Sequence, residues 1–295
     1  MTGAVFDVSR PVPVLGTLLG MSLLLVLVHK VLQRIYPFLA GPKRWQGLTT
    51  LNRHRVVHET VASFLVSPVL VWLYLQAVLE LGAPGGGVES RWYGFSRSSR
   101  WGLMVHCAMT LYDACFAYPK DPDKTYIYYI HHGLTLCVFC PIICSSFLHF
   151  WACWSALVEI TNPFVGMAQN IDRLGLIADP TTHWDWNLLN LTNGALLIIV
   201  WVAVRLVGIP VQLVAFLHDW PTHERHLATL PEPRASVLKR LLAGTCVGSF
   251  LVIWALSCFW LAQIIRQACA AFGAGEQDAA TPAASSTRKQ RSQST

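Results

Sequence analysis

Val61 to Leu79 reads VASFLVSPVLVWLYLQAVL and carries no formal charge, and Leu241 to Ile265 is equally clean. Runs of this length limit the fold more than any other feature of the chain. The hydrocarbon core of a bilayer is about 30 Å thick and takes about 20 apolar residues in a helix to cross. A helix satisfies its own backbone hydrogen bonds where water cannot. Composition agrees: 54% of the 295 residues are hydrophobic and 13% are charged, against about a quarter in soluble domains. Mean hydropathy is +0.44. No segment alternates as the strands of a membrane β-barrel do. The expected fold class is all-α, a polytopic transmembrane helix bundle of about seven spans, with six to eight allowed.

The spans expected are Pro11 to about Leu32, Val57 to Leu79, Trp101 to Ala117, Tyr126 to Phe147, Leu148 to Ala168, a sixth from about Leu188, and Leu241 to Ile265. The sixth is expected to be interrupted at Gly208-Ile209-Pro210. The fourth and fifth follow each other through Ser145-Ser146 and can also be read as one hairpin that does not fully cross. The leader MTGAVFDVSR has one Asp and one Arg and no small-x-small cleavage site follows, so the first span reads as a retained anchor. Residues 1–51 are then an anchor with a basic connection, 52–270 a transmembrane domain, and 271–295 a tail. From Gly273 that tail is small, polar and basic and is expected to be disordered.

Lys and Arg in the short connections set orientation. Lys30, Arg34, Lys43, Arg44, Arg53 and Arg55 in the first connection, Lys120 and Lys124 in the third, and Arg173 in the fifth favour a cytosolic C-terminus and an outside N-terminus. Arg225, Arg234, Lys239 and Arg240 in the sixth pull the other way. The net charge of +6 suits an anionic leaflet. No stripe of basic and aromatic residues suits base stacking, so nucleic acid is not an expected partner.

Cys137, Cys140 and Cys144 share one helical face. Read as a metal or redox site they would need thiolates, which are costly in lipid; read as small packing residues they need nothing. No paired CxxC pattern supports zinc, and no metal ligand is assigned.

The informative residues are polar ones inside spans, where an ionisable group is costly and usually faces an interior cavity. Asp113 in LYDACF, His131-His132 in YYIHHGLTL, Glu159 in LVEITNPF and Arg205 in VWVAVRLVG stand out. At 100° per residue Asn187 and Arg205 fall on one side of the sixth span with Asn190 close by, and Trp201 lies one turn before Arg205, placed to stack on it. His106 shares a face with Asp113. Interhelical hydrogen bonding accounts for any one of these residues alone. Together, a carboxylate, imidazoles and a guanidinium around one cavity suit proton transfer or recognition of a polar lipid headgroup. Adjacent histidines on a helix point about 100° apart and do not chelate one metal easily. One is expected to face the cavity as a general base or acyl acceptor.

LYDACF, HHGLTL, EITNPF and VWVAVRLVGIP, preceded by LNRHRVVHETVAS, occur in the order seen in TLC-domain proteins. The resemblance covers about Asn52 to Ile265. It implies a core of six or so helices around a lipid-accessible cavity, usually in the endoplasmic reticulum. In the ceramide synthases of that family a His pair serves transfer of an acyl chain from acyl-CoA to a sphingoid amine, and His131 and His132 match that pair. The synthase signature continues with a second acidic motif, HDxxD. Here the matching region is VEITNPF, where Glu159 is the only acid. The chain therefore looks closer to the non-synthase branches, for which lipid sensing, trafficking or control of membrane composition is proposed.

The expected function is membrane lipid homeostasis, by binding or regulating lipids through an intramembrane polar cavity. The alternative is ceramide-synthase-like N-acyl transfer with acyl-CoA as co-substrate; no other cofactor is expected. Catalytic roles fall to His131, His132 and Asp113, and substrate contacts to Glu159, Asn162, Asn190 and Arg205. Two other classes rank lower. His54 and His58 have the HxxxH spacing of a di-iron desaturase or hydroxylase, and His218, His223 and His226 form a second cluster in what reads as a Pro-rich loop. The HxxHH boxes are absent, since Tyr128 stands three residues before His131. No inverted repeat points to a transporter. Membrane lipids are the expected partners, with a homo- or hetero-oligomer in the membrane left open. The endoplasmic reticulum is the expected site and the plasma membrane the alternative.

Overall fold

Among the residues that the computed structural model describes, 11–122, 126–177, 185–229 and 233–279, every regular element is a helix. The leader to residue 10 and the tail from residue 280 lie outside the described residues. The elements are α1 (Pro11–Leu39), α2 (Pro42–Gly47), α3 (Thr50–Glu59), α4 (Ser67–Leu81), α5 (Gly87–Tyr93), α6 (Arg97–Tyr112), α7 (Tyr126–Ile143), α8 (His149–Ala156), α9 (Asn162–Arg173), α10 (Trp186–Trp201), α11 (Ile209–Ala228) and α12 (Pro233–Ala279). Some of these are parts of one run. π-helical turns Thr60–Val66 join α3 to α4, and Val202–Gly208 join α10 to α11. A 3-10 turn, Leu157–Thr161, joins α8 to α9. Another π segment, Asp113–Ala117, extends α6. Five helical runs are long and apolar enough to cross a membrane: Val12–Leu39, Thr50–Leu81, Tyr126–Ile143, Trp186–Ala228 and Ser236–Arg266. α6 and α8–α9 pack among them.

Side-chain ties fix the directions. Ser22 Oγ donates to the Ala108 carbonyl at 2.9 Å and His29 Nδ1 meets the Tyr112 hydroxyl at 2.6 Å, so α1 and α6 run parallel. Tyr74 donates to the Gly102 carbonyl at 3.2 Å while His58 reaches Asp113, which sets α3–α4 antiparallel to α6. α8–α9 returns beside α4, with Ser67 Oγ donating to the Glu159 carbonyl at 2.6 Å. α10–α11 runs back along α8–α9: Asn193 donates to the Phe164 carbonyl and Gln212 to the Trp151 carbonyl, each at 2.8 Å. Glu224–Arg240 at 2.8 Å and Trp254 to the Leu206 carbonyl at 3.2 Å set α12 antiparallel to α11. The bundle thus has two ends. One gathers Asp113, Tyr118 and Arg173; the other gathers Trp92, the start of α8 and the close of α11.

The starts of the helices are written locally. Thr49 caps α3 by accepting from the Asn52 N–H, and Asp185 caps α10 by accepting from the Leu188 N–H. Ser96 and Ser99 form a reciprocal capping box at α6. Leu148, at φ 65, is a non-glycine in the left-handed region. It is fully buried, and its N–H donates to the Trp92 carbonyl at 2.9 Å, which fixes the tight turn between α7 and α8. This turn separates α7 from α8.

Two boundaries differ from the sequence reading. The sixth span is not interrupted at Gly208-Ile209-Pro210. Pro210 follows directly on the π segment Val202–Gly208, a local adjustment of the kind by which membrane helices carry a proline, and the helix continues to Ala228. His218, His223 and His226 are therefore helical and not in a loop, with Pro221 inside the helix. The last helix closes at Ala279, beyond the expected end of its span at Ile265.

The described residues from 11 to 254 form one packed unit. Its core is apolar and aromatic: Trp92, Trp151, Tyr74, Tyr112 and Phe216 are among its largest fully buried side chains.

Candidate functional site

Asp113 is the first residue of the π segment that follows α6, and it is buried. Its Oδ1 accepts from His58 Nε2 at 2.9 Å. Its Oδ2 lies 3.7 Å from His132 Nε2, an ion-pair distance longer than a hydrogen bond. The same His132 nitrogen is 2.6 Å from the Tyr118 hydroxyl. On the other side of His58, Nδ1 is 3.8 Å from Glu59 Oε1, and that oxygen is 3.8 Å from Arg173 Nη1. A chain of polar groups thus crosses this end of the bundle from Arg173 through Glu59, His58, Asp113 and His132 to Tyr118. Four separate runs contribute to it. Its imidazoles alternate with carboxylates, an arrangement that can hold or pass protons inside a low-dielectric bundle.

His131 does not follow its neighbour. Its ring meets that of His132 edge-on at 5.4 Å, and its carbonyl accepts from Thr135 Oγ1 at 3.0 Å. The 100° step separates the two rings, so His132 is the member that joins Asp113. His54 points to the same end: its Nε2 is 3.1 Å from the Ala117 carbonyl and its ring packs on His29 at 4.8 Å. Lys120, beyond the π segment, stands over the Phe116 ring at 3.2 Å. Burial, and secondarily the Lys30 charge, lower its pKa below the usual lysine range.

A second polar group lies deeper along α8–α9. Glu159 sits on the 3-10 turn, and its Oε2 accepts from Asn162 Nδ2 at 2.5 Å. Its Oε1 is 4.0 Å from His106 Nε2, whose Nδ1 is held by the Tyr74 hydroxyl at 2.8 Å. Arg205, buried in the π segment between α10 and α11, grips that 3-10 turn. Nε and Nη2 donate to Thr161 Oγ1 at 3.1 and 3.0 Å, and Nη2 also reaches the Val158 carbonyl at 3.3 Å. Its guanidinium stacks on Trp201 at 4.4 Å, as the one-turn spacing predicts.

Of the residues singled out from sequence, Asp113 and His132 come together, as do Glu159 and Asn162, with Arg205 bonded two residues from Glu159. Asn190 is half-buried, and Asn193 makes the tie from α10 to α9. Sequence reasoning did not assign His58, Glu59, Tyr118 and Thr161 to the site. Glu59 falls inside the span expected from Val57, and the criterion that picked out Asp113 applies to it equally. For His58 the HxxxH face was visible but its carboxylate partner was not. Tyr118 carried no signal.

The three π segments mark the same places. One follows His58-Glu59, one begins at Asp113, and one contains Arg205. Such turns are rare and frequent at functional sites.

A family profile described as the TLC domain matches residues 55–266. No curated protein and no solved structure is detectably similar to the chain. The matched residues carry both polar groups and every π segment described above, and the apolar runs span a membrane more than once: the chain belongs to the TLC-domain family and is a multi-pass integral membrane protein.

Proposed function

We propose that this protein binds membrane lipids through the polar groups of the bundle and acts in membrane lipid homeostasis, in the endoplasmic reticulum. The observation that carries the reading is the Asp113 carboxylate, shared between His58 and His132 inside an apolar bundle. Packing alone does not require so many ionisable groups in series, and such groups within spans by default mark a functional path. Polar headgroups offer the phosphates, hydroxyls and amines that imidazole, carboxylate and guanidinium recognise. In this reading Glu159, Asn162 and Arg205 supply further headgroup contacts. The test uses purified protein in nanodiscs with photoactivatable lipids. Saturable crosslinking to peptides containing His132 or Glu159, reduced in His132→Ala and Asp113→Asn, is the expected result; crosslinking unchanged by either substitution refutes it.

One observation favours catalysis as a second reading: His132 Nε2 lies within reach of both Asp113 and the Tyr118 hydroxyl. In N-acyl transfer, His132 takes a proton from a sphingoid amine as its nitrogen attacks the thioester carbonyl of acyl-CoA. The C–N bond forms, the C–S bond breaks, and the proton leaves with the CoA thiol. Asp113 orients and stabilises the imidazolium. Incubation with long-chain acyl-CoA and sphingoid bases, read by mass spectrometry, separates the readings. N-acyl product lost in His132→Ala supports transfer, and no product across chain lengths leaves the binder.

A further inference from the structure

At the Trp92 end, α5 and the last turns of α11 flank an open cavity of about 400 Å³. Its polar lining includes Glu89, Tyr93, Thr222, His223, Arg225 and His226. The wall is set by stacking. The His223 ring lies parallel to Trp92 at 4.1 Å, and Tyr93 packs on His226 at 4.2 Å. His223 is buried, and its two nitrogens differ. Nδ1 is bonded to the Tyr93 hydroxyl at 2.7 Å, whereas Nε2 has no partner among the described residues. α5 lies outside the spans. Burial, with Glu224 and Glu89 nearby, pushes the Tyr93 hydroxyl well above the usual tyrosine range. With the Tyr93 hydroxyl as donor to Nδ1, Nε2 carries the ring proton and is a buried N–H donor with no acceptor among the described residues. Buried donors of this kind are rare and need an explanation.

The cavity also carries both signs of charge without pairing them. Among the described residues Arg225 donates only within its own helix, to Thr222 Oγ1 at 3.0 Å and the Pro221 carbonyl at 3.4 Å. Glu89 enters no ion pair among the described residues. Their neighbours do pair: Arg91 with Asp219 at 2.7 Å and Arg240 with Glu224 at 2.8 Å. Val211, Val214 and Leu217 on α11 leave an exposed apolar strip leading from this end along the bundle.

We propose that this cavity binds a zwitterionic headgroup of the phosphate–primary-amine class, the phosphate held by Arg225, His223 and His226 and the ammonium by Glu89. The volume suits a small headgroup, since ligand sites run from about 300 Å³ upward. The apolar strip gives acyl chains a path, which favours a membrane phospholipid over the free phosphate ester. The site is separate from the Asp113 group and stands or falls without it.

The test uses the full-length protein in nanodiscs holding phosphatidylethanolamine, phosphatidylglycerol or phosphatidylcholine, with lipid retention read by native mass spectrometry. A parallel titration uses soluble glycerophosphoethanolamine. Phosphatidylethanolamine should be retained preferentially. Arg225→Gln should weaken its retention about 10-fold or more, the usual consequence of losing a charge-assisted contact. Glu89→Gln should remove the preference over phosphatidylglycerol. Both side chains are exposed, so these variants keep the fold. His223→Phe retains the stack on Trp92 and should also weaken binding. Retention of the lipid assigns a membrane source, and binding of the soluble ester alone assigns a free phosphate ester. Binding of neither, equal retention of phosphatidylglycerol by the wild type, or retention unchanged in Arg225→Gln and Glu89→Gln overturns the proposal.

Discussion

His58 and Asp113 stand 55 positions apart in the chain and meet at 2.9 Å, Nε2 to Oδ1, on two antiparallel helical runs. This contact joins the end of α3 to the π segment after α6, and Asp113 also faces His132 from α7. Replacing the carboxylate removes the acceptor that His58 uses. Asp113→Ala should cost about 1–3 kcal/mol, the range for a stranded buried polar group. Asp113→Asn keeps one acceptor oxygen and should cost less. Thermal unfolding in detergent reads both; an alanine variant as stable as the wild type would show that the contact is not made.

Arg205 tests geometry at constant charge. Its fork reaches the Thr161 hydroxyl with two nitrogens and the Val158 carbonyl with one of them. A lysine ammonium cannot reproduce that planar fork or its stack on Trp201. Arg205→Lys should lower stability by about 1–2 kcal/mol, in line with interhelical polar contacts in membranes. In a double-mutant cycle with Thr161→Ala the two losses should be less than additive. Strict additivity would mean the residues do not interact.

Gly166 on α9 is a packing test. A Cβ there meets the Cβ and Oγ of Ser63 on the facing π segment. Small residues let membrane helices approach closely, so Gly166→Ala should destabilise by about 1–3 kcal/mol through overpacking. Ser63→Gly in the same chain should restore most of the loss. Failure of that rescue places the strain elsewhere.

The apolar runs were legible because lipid imposes a length on each helix, and Val61 to Leu79 or Leu241 to Ile265 needs no partner to be recognised. Asp113, His132, Glu159 and Arg205 were legible for the complementary reason: ionisable groups are rare in such runs. Pairing was not legible. Whether His58 finds a metal, water or Asp113 depends on how two helices are rotated against each other, and no local pattern carries that. Pro221 misled for a related reason. A proline in a soluble helix usually ends it, whereas membrane helices tolerate one when neighbours re-satisfy the freed backbone. His223 and His226 thus read as loop residues although they face a built cavity on α11.

Topology gives a prediction independent of the sites. The 82–96 connection and the turn after Ala117 lie at opposite ends of the bundle, and the basic residues favour the latter in the cytosol. A glycosylation acceptor inserted near Gly85 should be modified, and one inserted near Asp121 should not. The reverse pattern would invert the orientation and leave the fold unchanged.

The π segments have a consequence for variation in length. Each wide turn takes up one residue more than an α-helical turn, so the helix on either side faces as it would in a regular helix one residue shorter. Deleting one residue from Asp113–Ala117 or Val202–Gly208 would close the wide turn and leave both flanks facing as they do. Deleting Val211 from the regular helix beyond would instead turn everything after it by about 100° and give Gln212 the lipid-facing place of Val211. Tolerance to a one-residue deletion therefore differs sharply between the wide turns and the regular helix beside them.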